Sequence, residues 1–254
     1  GKIEILHSNL DIDKQVTAYT RRDLITKEPI GDAIPVEGEK FTFRTRGIVL
    51  KFPIEKDDEY EADTDEPTRR VKDDVLDGFH AIEHVLQHAG VTVAGISSDD
   101  IDGINEPDPD DEKIHNIYII DDSGSGESGA TEMIYRRIEE VIRRSFEILY
   151  LCKGPKDKGC EKPEGCPNCT FQIYKCNQWN EHLNKPIAVE KLRTVVREMF
   201  KNELEALKTA KEHGSSKDES ADFVKHIKNK YEHLLPNVET EIDKISSEFE
   251  KRNQ

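Results

Sequence analysis

Residues 152–176 read CKGPKDKGCEKPEGCPNCTFQIYKC and contain all five cysteines of the 254-residue chain. Disulfide frameworks spread their cysteines through small secreted domains, whereas clustered cysteines in a larger chain are typical of a metal site. Cys166 and Cys169 are three residues apart on a turn that contains Gly165 and Pro167, so both thiolates can bind one ion. The spacing therefore predicts a metal-binding knuckle.

Two further cysteines complete the predicted site. Cys160 follows a glycine, and Cys152 ends a long amphipathic segment. With the knuckle they can form a tetrahedral four-thiolate set, which favours structural zinc because no coordination position stays open. An iron–sulfur cluster is the alternative that four thiolates suit, and unligated cysteines in a loop are the remaining interpretation. Cys176 is an alternative ligand in place of Cys152, because the lysine-rich insert between Cys152 and Cys160 is unlike a tight knuckle.

Composition limits the expected partners and location. The chain has 37 Lys and Arg against 53 Asp and Glu, a formal net charge of -16. Such a charge argues against broad nucleic-acid binding through the whole surface, although a local basic face is still allowed. The sequence has no apolar run of about 18 residues and no leader typical of secretion. We therefore expect a cytoplasmic protein with no membrane partner.

Hydrophobic patterning in the first half predicts strands followed by a helix. Residues 1–53 indicate β structure, because short apolar runs are separated by Pro and Gly turns. The acidic run at 55–66 is expected to be an exposed linker. Apolar residues then recur at helical spacing from Pro67 to about Ala89. We expect a short buried strand at 91–94 and a polar loop at 97–103.

The second half predicts one more strand and several helices. Residues 105–113 are expected on the surface, and 117–120 as a strand that leads through a glycine-rich turn into a helix at about 129–151. From Pro186 the pattern is almost wholly helical. We predict an α/β (α+β) fold with a central sheet, long packed helices, a four-cysteine zinc knuckle and a helical C-terminal extension. The predicted domains are 1–183, which includes the knuckle at 152–176, and 184–254.

The segment His80-Ala-Ile-Glu83-His84 spells H-x-x-E-H, the inverted zinc-peptidase pattern. Helical spacing is expected to place its three polar side chains on one face, which His88 extends by a turn. A peptidase also needs a third protein ligand and a cleft, so histidines hydrogen-bonded at the inner edge of a core helix are the more ordinary interpretation. A polar or divalent-metal site is the alternative, with the candidates His80, Glu83, His84, Asp99, Asp102 and Asp121.

The stretch from Asp121 to Gly129 follows a strand and opens a helix, so its N–H groups could bind an anion. It lacks Gly-Lys-Ser/Thr and is not a P-loop. Nucleotide binding, contact with a DNA backbone and a tight structural turn all stay open. The arginines that could form a local phosphate-contacting surface are Arg21, Arg22, Arg44, Arg46, Arg69, Arg70, Arg136, Arg137, Arg143 and Arg144.

The order of these motifs resembles a known family. HAIEH at 80–84, DDIDG at 99–103, IIDDSGSGESG at 119–129, GCPNC at 165–169 and CNQWNEHLNK at 176–185 follow one another as in the zinc-binding C-terminal domain of MrfA-type DEAD/DEAH-box helicases. The same domain family occurs in DISARM DrmB proteins. The resemblance covers about residues 10–200 and implies zinc ligation by Cys152, Cys160, Cys166 and Cys169. This chain departs from the family by a wider first cysteine pair and by a glycine turn without proline.

The resemblance implies a noncatalytic zinc-binding accessory domain of a superfamily 2 DNA helicase, which assists DNA engagement in repair or phage defence. The sequence has no Walker A motif and no ATPase signatures, so we expect no ATP hydrolysis by this chain alone. The expected partners are a helicase core, in the same or a separate chain, and DNA, bound weakly by the isolated domain. The alternatives are a metal-dependent hydrolase or nuclease that uses the histidine and carboxylate cluster, and a protein-interaction scaffold that uses the helical tail.

Overall fold

The computed structural model describes residues 2–15, 17–26, 29–38, 40–61, 69–122, 128–154, 160, 162–172, 176, 180, 182–212 and 217–252. Its elements are β1 (Glu4–Gln15), β2 (Ala18–Tyr19), β3 (Ile34–Pro35), β4 (Lys40–Pro53), β5 (Glu59–Glu61), β6 (Arg69–Val71), α1 (Asp73–Ala94), β7 (Ile101–Pro107), β8 (Ile114–Asp121), α2 (Ala130–Tyr135), α3 (Ile138–Tyr150), α4 (Lys185–Glu212), α5 (Lys217–Tyr231) and α6 (Val238–Arg252). The central sheet with its packed helices confirms the predicted α/β (α+β) class.

The central sheet is antiparallel, with the strand order β1-β4-β8-β7. In β4, Leu50 pairs with Ile5 on one side and with Ile117 on the other. Ile48, Leu50 and Phe52 alternate along β4 and are almost fully buried, as the period-two pattern of a strand requires. The sheet therefore presents an apolar face to the helices.

Helix α1 lies at the centre of the molecule. It contacts β7 and β8 on one side and α3 and α4 on the other. Its residues from Gly78 to Gln87 are all buried, which is the arrangement expected of a helix that is covered on every side. Gly78 allows close packing, because a Cβ there would lie 2.4 Å from Cγ2 of Ile187 in α4. This central position brings the side chains of α1 to both the sheet and the cysteine-rich segment.

The predicted strand at 91–94 is wrong, because α1 continues through Ala94. Its β-branched residues favour a strand, but nothing stops the helix before Gly95. Gly95 adopts φ 70 and its N–H donates to the carbonyl of Val91, which ends the helix. The helix also begins at Asp73, later than expected, and Pro67 lies outside the described residues.

Three other segments differ from the predictions. The expected polar loop at 97–103 contains a short 3₁₀ turn at Ser98–Asp100 and then the start of β7. The helix expected at 129–151 is divided into α2 and α3 at Arg136 and Arg137. Within the predicted acidic linker, Lys56–Asp58 form a 3₁₀ turn and Glu59–Glu61 form β5, whereas residues 62–66 are not described.

The C-terminal helices pack on the rest of the molecule. α4 contacts both α1 and α3, and α5 contacts α4. Leu207, Ile227 and Tyr231 are fully buried in the same apolar cluster as Phe79 of α1. The helical nature of the region after 184 is thus confirmed, while the division into domains at 183/184 stays a prediction. None of the helices in the described ranges is long and apolar enough to cross a membrane.

Candidate metal centre

Four sulfur atoms meet next to the end of α3. The Sγ atoms of Cys152, Cys160, Cys166 and Cys169 all lie within 4.8 Å of one another. The closest Sγ–Sγ distances are 3.5 Å for Cys152–Cys166, 3.6 Å for Cys160–Cys169 and 3.7 Å for Cys166–Cys169. A tetrahedral ion with Zn–S bonds of about 2.3 Å holds its sulfurs about 3.8 Å apart, whereas a disulfide needs about 2.05 Å. The spacing fits one metal ion at the centre of the group.

Backbone hydrogen bonds shape the knuckle around the last two cysteines. The N–H groups of Cys169 and Thr170 both donate to the carbonyl oxygen of Cys166, at 3.0 and 3.1 Å. Gly165 adopts φ 92, and a Cβ at this position would lie 2.1 Å from Oγ1 of Thr170. The hydroxyl of Thr170 in turn donates to the carbonyl of Glu164 at 2.6 Å. Glycine before the first knuckle cysteine is therefore required by both conformation and space.

The other two cysteines come from different places in the chain. Cys152 lies just beyond the end of α3 at Tyr150, and Cys160 lies just before the knuckle. The lysine-rich residues 155–159 between them lie outside the described residues. A metal ion at this site would join the end of α3 to the segment that leads into α4.

The two knuckle cysteines are shielded from water. Cys169 is fully buried and Cys166 is 6% exposed. Burial raises the pKa of both thiols, because a thiolate without water around it is unfavourable. A bound divalent cation compensates this cost, since metal ligation deprotonates a coordinating thiol.

Two histidines of α1 form hydrogen bonds with the backbone that directly follows the knuckle. Nδ1 of His84 lies 2.7 Å from the carbonyl oxygen of Thr170, and Nε2 of His88 lies 3.1 Å from that of Phe171. Burial lowers the pKa of His88 and lowers that of His84 to about 3, so both rings are neutral near pH 7. These contacts match the interpretation of histidines bonded at the inner edge of a core helix.

Cys176, the alternative ligand, lies next to a different set of side chains. Its Sγ is 3.5 Å from Nε2 of His80. It groups with His80 and His84, and it does not belong to the four-cysteine group within the described part of the chain. Nδ1 of His80 lies 2.8 Å from the carbonyl oxygen of His182.

Glu83 of the H-x-x-E-H segment contacts the sheet and not the cysteine-rich segment. Its carboxylate accepts hydrogen bonds from the side-chain amides of Asn105 (2.6 Å) and Gln87 (3.1 Å). Burial raises its pKa to about 7. Gly103 in β7 makes room for it, because a Cβ there would lie 2.4 Å from a carboxylate oxygen of Glu83. The two histidines and the glutamate therefore have different neighbours, although they share one helix.

The three aspartate candidates lie in different surroundings. Asp102 forms an ion pair with Lys14 at 3.0 Å. Asp99 is exposed and lies in the 3₁₀ turn at Ser98–Asp100. Asp121 is fully buried and accepts the N–H of Thr131 at 2.8 Å. In the described residues, neither Glu83 nor any of these aspartates belongs to a group of three or more potential metal ligands.

Only the two ends of the glycine-rich stretch belong to the described residues. Residues 123–127 lie outside the described residues, whereas Gly129 precedes α2 with φ 74. At the start of α2, the carboxylate of Asp121 accepts the N–H of Thr131 and so occupies the place of an external anion at that amide.

The predicted arginine surface is partly neutralised. Ion pairs join Arg44 to Asp11, Arg46 and Arg136 to Glu132, Arg137 to Glu140, and Arg144 to Glu147. Arg21 and Arg70 are exposed. The backbone of Arg22 forms an isolated antiparallel β-bridge with Pro29. Arg69 lies in β6. Arg136, Arg137 and Arg143 line one groove opposite α5, together with Lys230.

Some groups at the site carry no signal in the sequence. The acceptors for His80, His84 and His88 are backbone carbonyls, so no residue type marks them. Asn180 and His182 adopt φ 61 and 55. Asparagine tolerates this conformation better than most residues, which is the one hint that the sequence contains.

Among the comparisons with known proteins, the family model agrees with the geometry of the four cysteines. A family model described as the MrfA Zn-binding domain matches residues 82–170, which include all four clustered cysteines. The uncharacterized protein MJ1572.1 of Methanocaldococcus jannaschii is 30% identical over 123 residues, which are 46% of this chain and 99% of that protein. The crystal structure of the DUF1998 helicase MrfA bound to DNA matches 78% of this chain and 22% of its own, with 16% identity and a TM-score of 0.48.

The family match and the four-sulfur cluster together identify a structural zinc site. The chain spans about a fifth of the length of the solved helicase but nearly all of the archaeal relative. The chain belongs to the family that carries the MrfA-type zinc-binding domain.

Proposed function

We propose that this chain is a noncatalytic zinc module that docks on or extends a superfamily 2 helicase core and helps it to engage DNA. The observation that carries the proposal is the four-sulfur cluster, because it lies wholly inside the segment that matches the MrfA Zn-binding domain. Its zinc ligands are Cys152, Cys160, Cys166 and Cys169. Their tetrahedral spacing leaves no position for substrate, so the ion acts through the fold.

The zinc ion connects the end of α3 to the segment that leads into α4. One ligand lies next to the end of α3, and the knuckle ligands precede the segment that leads into α4. α3 and α4 also pack against each other. The ion therefore fixes the connection between α3 and α4, which already pack in the same core. With this connection fixed, the module offers a rigid surface to a larger partner.

A basic groove between α3 and α5 is the surface that we assign to DNA. We define it by Arg136, Arg137, Arg143 and Lys230, which line a cavity of about 660 Å³ together with Glu139 and Glu140. Basic side chains outnumber acidic ones in this groove, although the whole chain has a formal net charge of -16. Because several of these cations already have acidic partners, the isolated domain binds DNA weakly and the helicase core supplies most of the affinity.

Zinc content and folding test the first part of the proposal. The purified chain should hold zinc, and Cys166→Ser or a strong chelator should unfold it, because zinc ligation supplies folding free energy. Cys176→Ser should keep the fold, since Cys176 lies outside the four-cysteine group. Circular dichroism and elemental analysis measure both. A Cys166→Ser variant that is folded without metal would overturn the structural role.

A charge reversal tests the DNA surface. Arg136→Glu should weaken binding to a fluorescent DNA duplex and reduce the slope of log affinity against log salt by about one. Arg197→Glu is the control, because Arg197 also has an acidic partner, Glu241, and lies outside the groove. Equal effects of the two substitutions would remove the groove from the proposal.

The helicase partnership needs its own measurement. We expect the source genome to encode a helicase core in the same reading frame or beside it. That core should co-elute with this chain. Its DNA-stimulated ATPase activity should be higher when this chain is present. A role in repair or phage defence, in the cytoplasm, predicts that a strain with the Cys166→Ser allele loses survival after DNA damage or resistance to phage. No interaction with such a core would contradict the partnership and leave the zinc site unaffected.

A further inference from the structure

A second group of metal-ligating side chains lies outside the four-cysteine cluster. One ring nitrogen of His80, one of His84 and the Sγ of Cys176 lie within 4.8 Å of one another. Both histidines are buried and the cysteine is half-buried. The two imidazole rings meet edge to face, with centroids 4.5 Å apart. Apart from the four cysteines, the part of the chain that the structure describes holds no other such group.

Hydrogen bonds determine which nitrogen of each histidine carries the lone pair. Nδ1 of His80 lies 2.8 Å from the carbonyl oxygen of His182, and Nδ1 of His84 lies 2.7 Å from that of Thr170. A carbonyl oxygen only accepts, so Nδ1 carries the proton in both rings and Nε2 keeps a lone pair. Metal-binding histidines show this same arrangement, in which the nitrogen that does not bind the metal donates to a carbonyl or carboxylate.

The distance between the donor atoms suits a small tetrahedral ion. Nε2 of His80 lies 3.5 Å from the Sγ of Cys176. With Zn–N of about 2.05 Å and Zn–S of about 2.3 Å, the ligand atoms of a tetrahedral site lie about 3.6 Å apart. No large rearrangement is therefore needed to place an ion between these two atoms.

Asn180, which contacts Cys176, and His182 have an unusual backbone conformation. The N–H of Asn180 donates to the Sγ of Cys176 at 3.5 Å, a contact that stabilises a thiolate. The side-chain amide of Asn180 accepts the N–H of Gln172 at 2.6 Å and donates to its carbonyl at 2.8 Å. Asn180 and His182 have φ values of 61 and 55. Such conformations cost free energy in non-glycine residues and often mark functional sites.

We propose that His80, His84 and Cys176 form a second zinc site, which is separate from the four-cysteine centre. Both Nε2 atoms and the thiolate bind the ion, a donor set of imidazole and thiolate that suits zinc. Three protein ligands leave one tetrahedral position for water or a small anion. The ion fastens α1 to the segment that leads into α4. This inference goes beyond the proposed helicase role and does not depend on it.

His88 provides a matched control on the same helix. It lies one turn beyond His84, is partly buried and bonds to the carbonyl of Phe171 through Nε2. It does not belong to the group formed by His80, His84 and Cys176. A change at His88 therefore disturbs the same helix–knuckle contact without removing a proposed ligand.

Metal analysis of the whole chain, purified under reducing conditions and dialysed after saturation with zinc, tests the inference without any substitution. We expect two zinc ions per chain. X-ray absorption at the zinc edge should show five sulfur ligands and two imidazole ligands for the two ions together. One zinc ion with an all-sulfur shell would overturn the second site and support the four-cysteine centre. One zinc ion with mixed nitrogen and sulfur ligands would support the second site and contradict the first, and zinc-free protein would contradict both.

Variants locate the second ion. Cys176→Ser and His84→Gln should each lower the content from two zinc ions to one and leave an all-sulfur shell. His88→Gln should keep two. Circular dichroism verifies that each variant is folded. If folded Cys176→Ser and His84→Gln both retain two zinc ions, the assignment of these ligands is overturned.

Discussion

Nδ1 of His84 lies 2.7 Å from the carbonyl oxygen of Thr170, the residue that directly follows Cys169. His84 is 1% exposed and belongs to α1, the helix that packs on the sheet. A single hydrogen bond thus joins the buried core to the residue next to a zinc ligand. The core and the zinc site are expected to support each other, because disorder in the knuckle leaves a buried imidazole without its partner.

Gly165→Ala should weaken the knuckle. The substitution places a Cβ 2.1 Å from Oγ1 of Thr170 and forces alanine to adopt φ 92. We expect a loss of about 1–3 kcal/mol in the free energy of unfolding and faster release of zinc to a chelator. Gly95→Ala is the control, since Gly95 has φ 70 with no atom within 4 Å of the added carbon. It should lose stability without faster zinc release, and equal zinc release from both variants would contradict this account of Gly165.

Gly78→Ala should destabilise the chain, although alanine is the better helix former. The new Cβ would lie 2.8 Å from Cβ of Ile187, an atom that cannot rotate away, so α1 and α4 must separate. We expect a cost of about 1–3 kcal/mol, measured by urea unfolding. At Gly90 the nearest atom is the terminal Cδ1 of Ile134, at 2.9 Å. Gly90→Ala should therefore cost less, and the reverse order would contradict the packing of α4 on α1.

Tyr231 tests whether the C-terminal helices belong to the core. Its ring is fully buried against Phe200, with centroids 5.3 Å apart, and its hydroxyl donates to Glu203 at 3.0 Å. Tyr231→Phe removes only the hydrogen bond and should cost about 1 kcal/mol. Tyr231→Ala leaves a cavity and should cost about 3–5 kcal/mol. Thermal and urea unfolding measure both, and an unchanged stability of Tyr231→Ala would favour a separately folded tail.

His115 should make the chain less stable in mild acid. It stacks on Phe79 at 4.3 Å, and burial lowers its pKa from 6.5 to about 4. The unfolded chain therefore binds a proton between these values that the folded chain does not, so stability is full above pH 6.5 and falls as the pH decreases toward 4. Between pH 7.5 and 5.5 this histidine should remove about 1 kcal/mol.

His115→Phe keeps the stack on Phe79 and removes the titrating group. The difference in unfolding free energy between pH 7.5 and 5.5 should be smaller in the variant than in the original chain by about 1 kcal/mol. Comparing the two proteins at both pH values cancels the loss of zinc in acid. An identical pH dependence in both would show that His115 is not kept neutral by the fold.

Features with strong local signals could be predicted from the sequence. The short apolar runs in residues 1–53 predicted the β structure that β1 and β4 form, and the apolar run at 117–120 predicted β8. The spacing of the cysteines predicted a four-thiolate zinc site. In each case the signal lies in a few neighbouring residues, whose pattern depends little on the rest of the chain.

Features set by distant contacts could not be predicted in this way. β7 contains Asp102, Gly103 and Asn105, which are poor strand formers, and it forms because it pairs with β8 and lies against Glu83 of α1. Spacing alone could not show whether Cys152 or Cys176 is the fourth zinc ligand, because that depends on where α1 places His80. The H-x-x-E-H segment suggested one polar face, but the sheet and the cysteine-rich segment lie on different sides of α1 and separate Glu83 from the histidines.

The most direct test of the central claim is X-ray absorption at the zinc edge of the Cys176→Ser variant, in which only the four-cysteine centre can hold metal. We predict one zinc ion per chain with four sulfur ligands at about 2.3 Å and no nitrogen or oxygen ligand. A folded variant without zinc, or a zinc ion with nitrogen or oxygen in its first shell, would contradict a structural site made by Cys152, Cys160, Cys166 and Cys169.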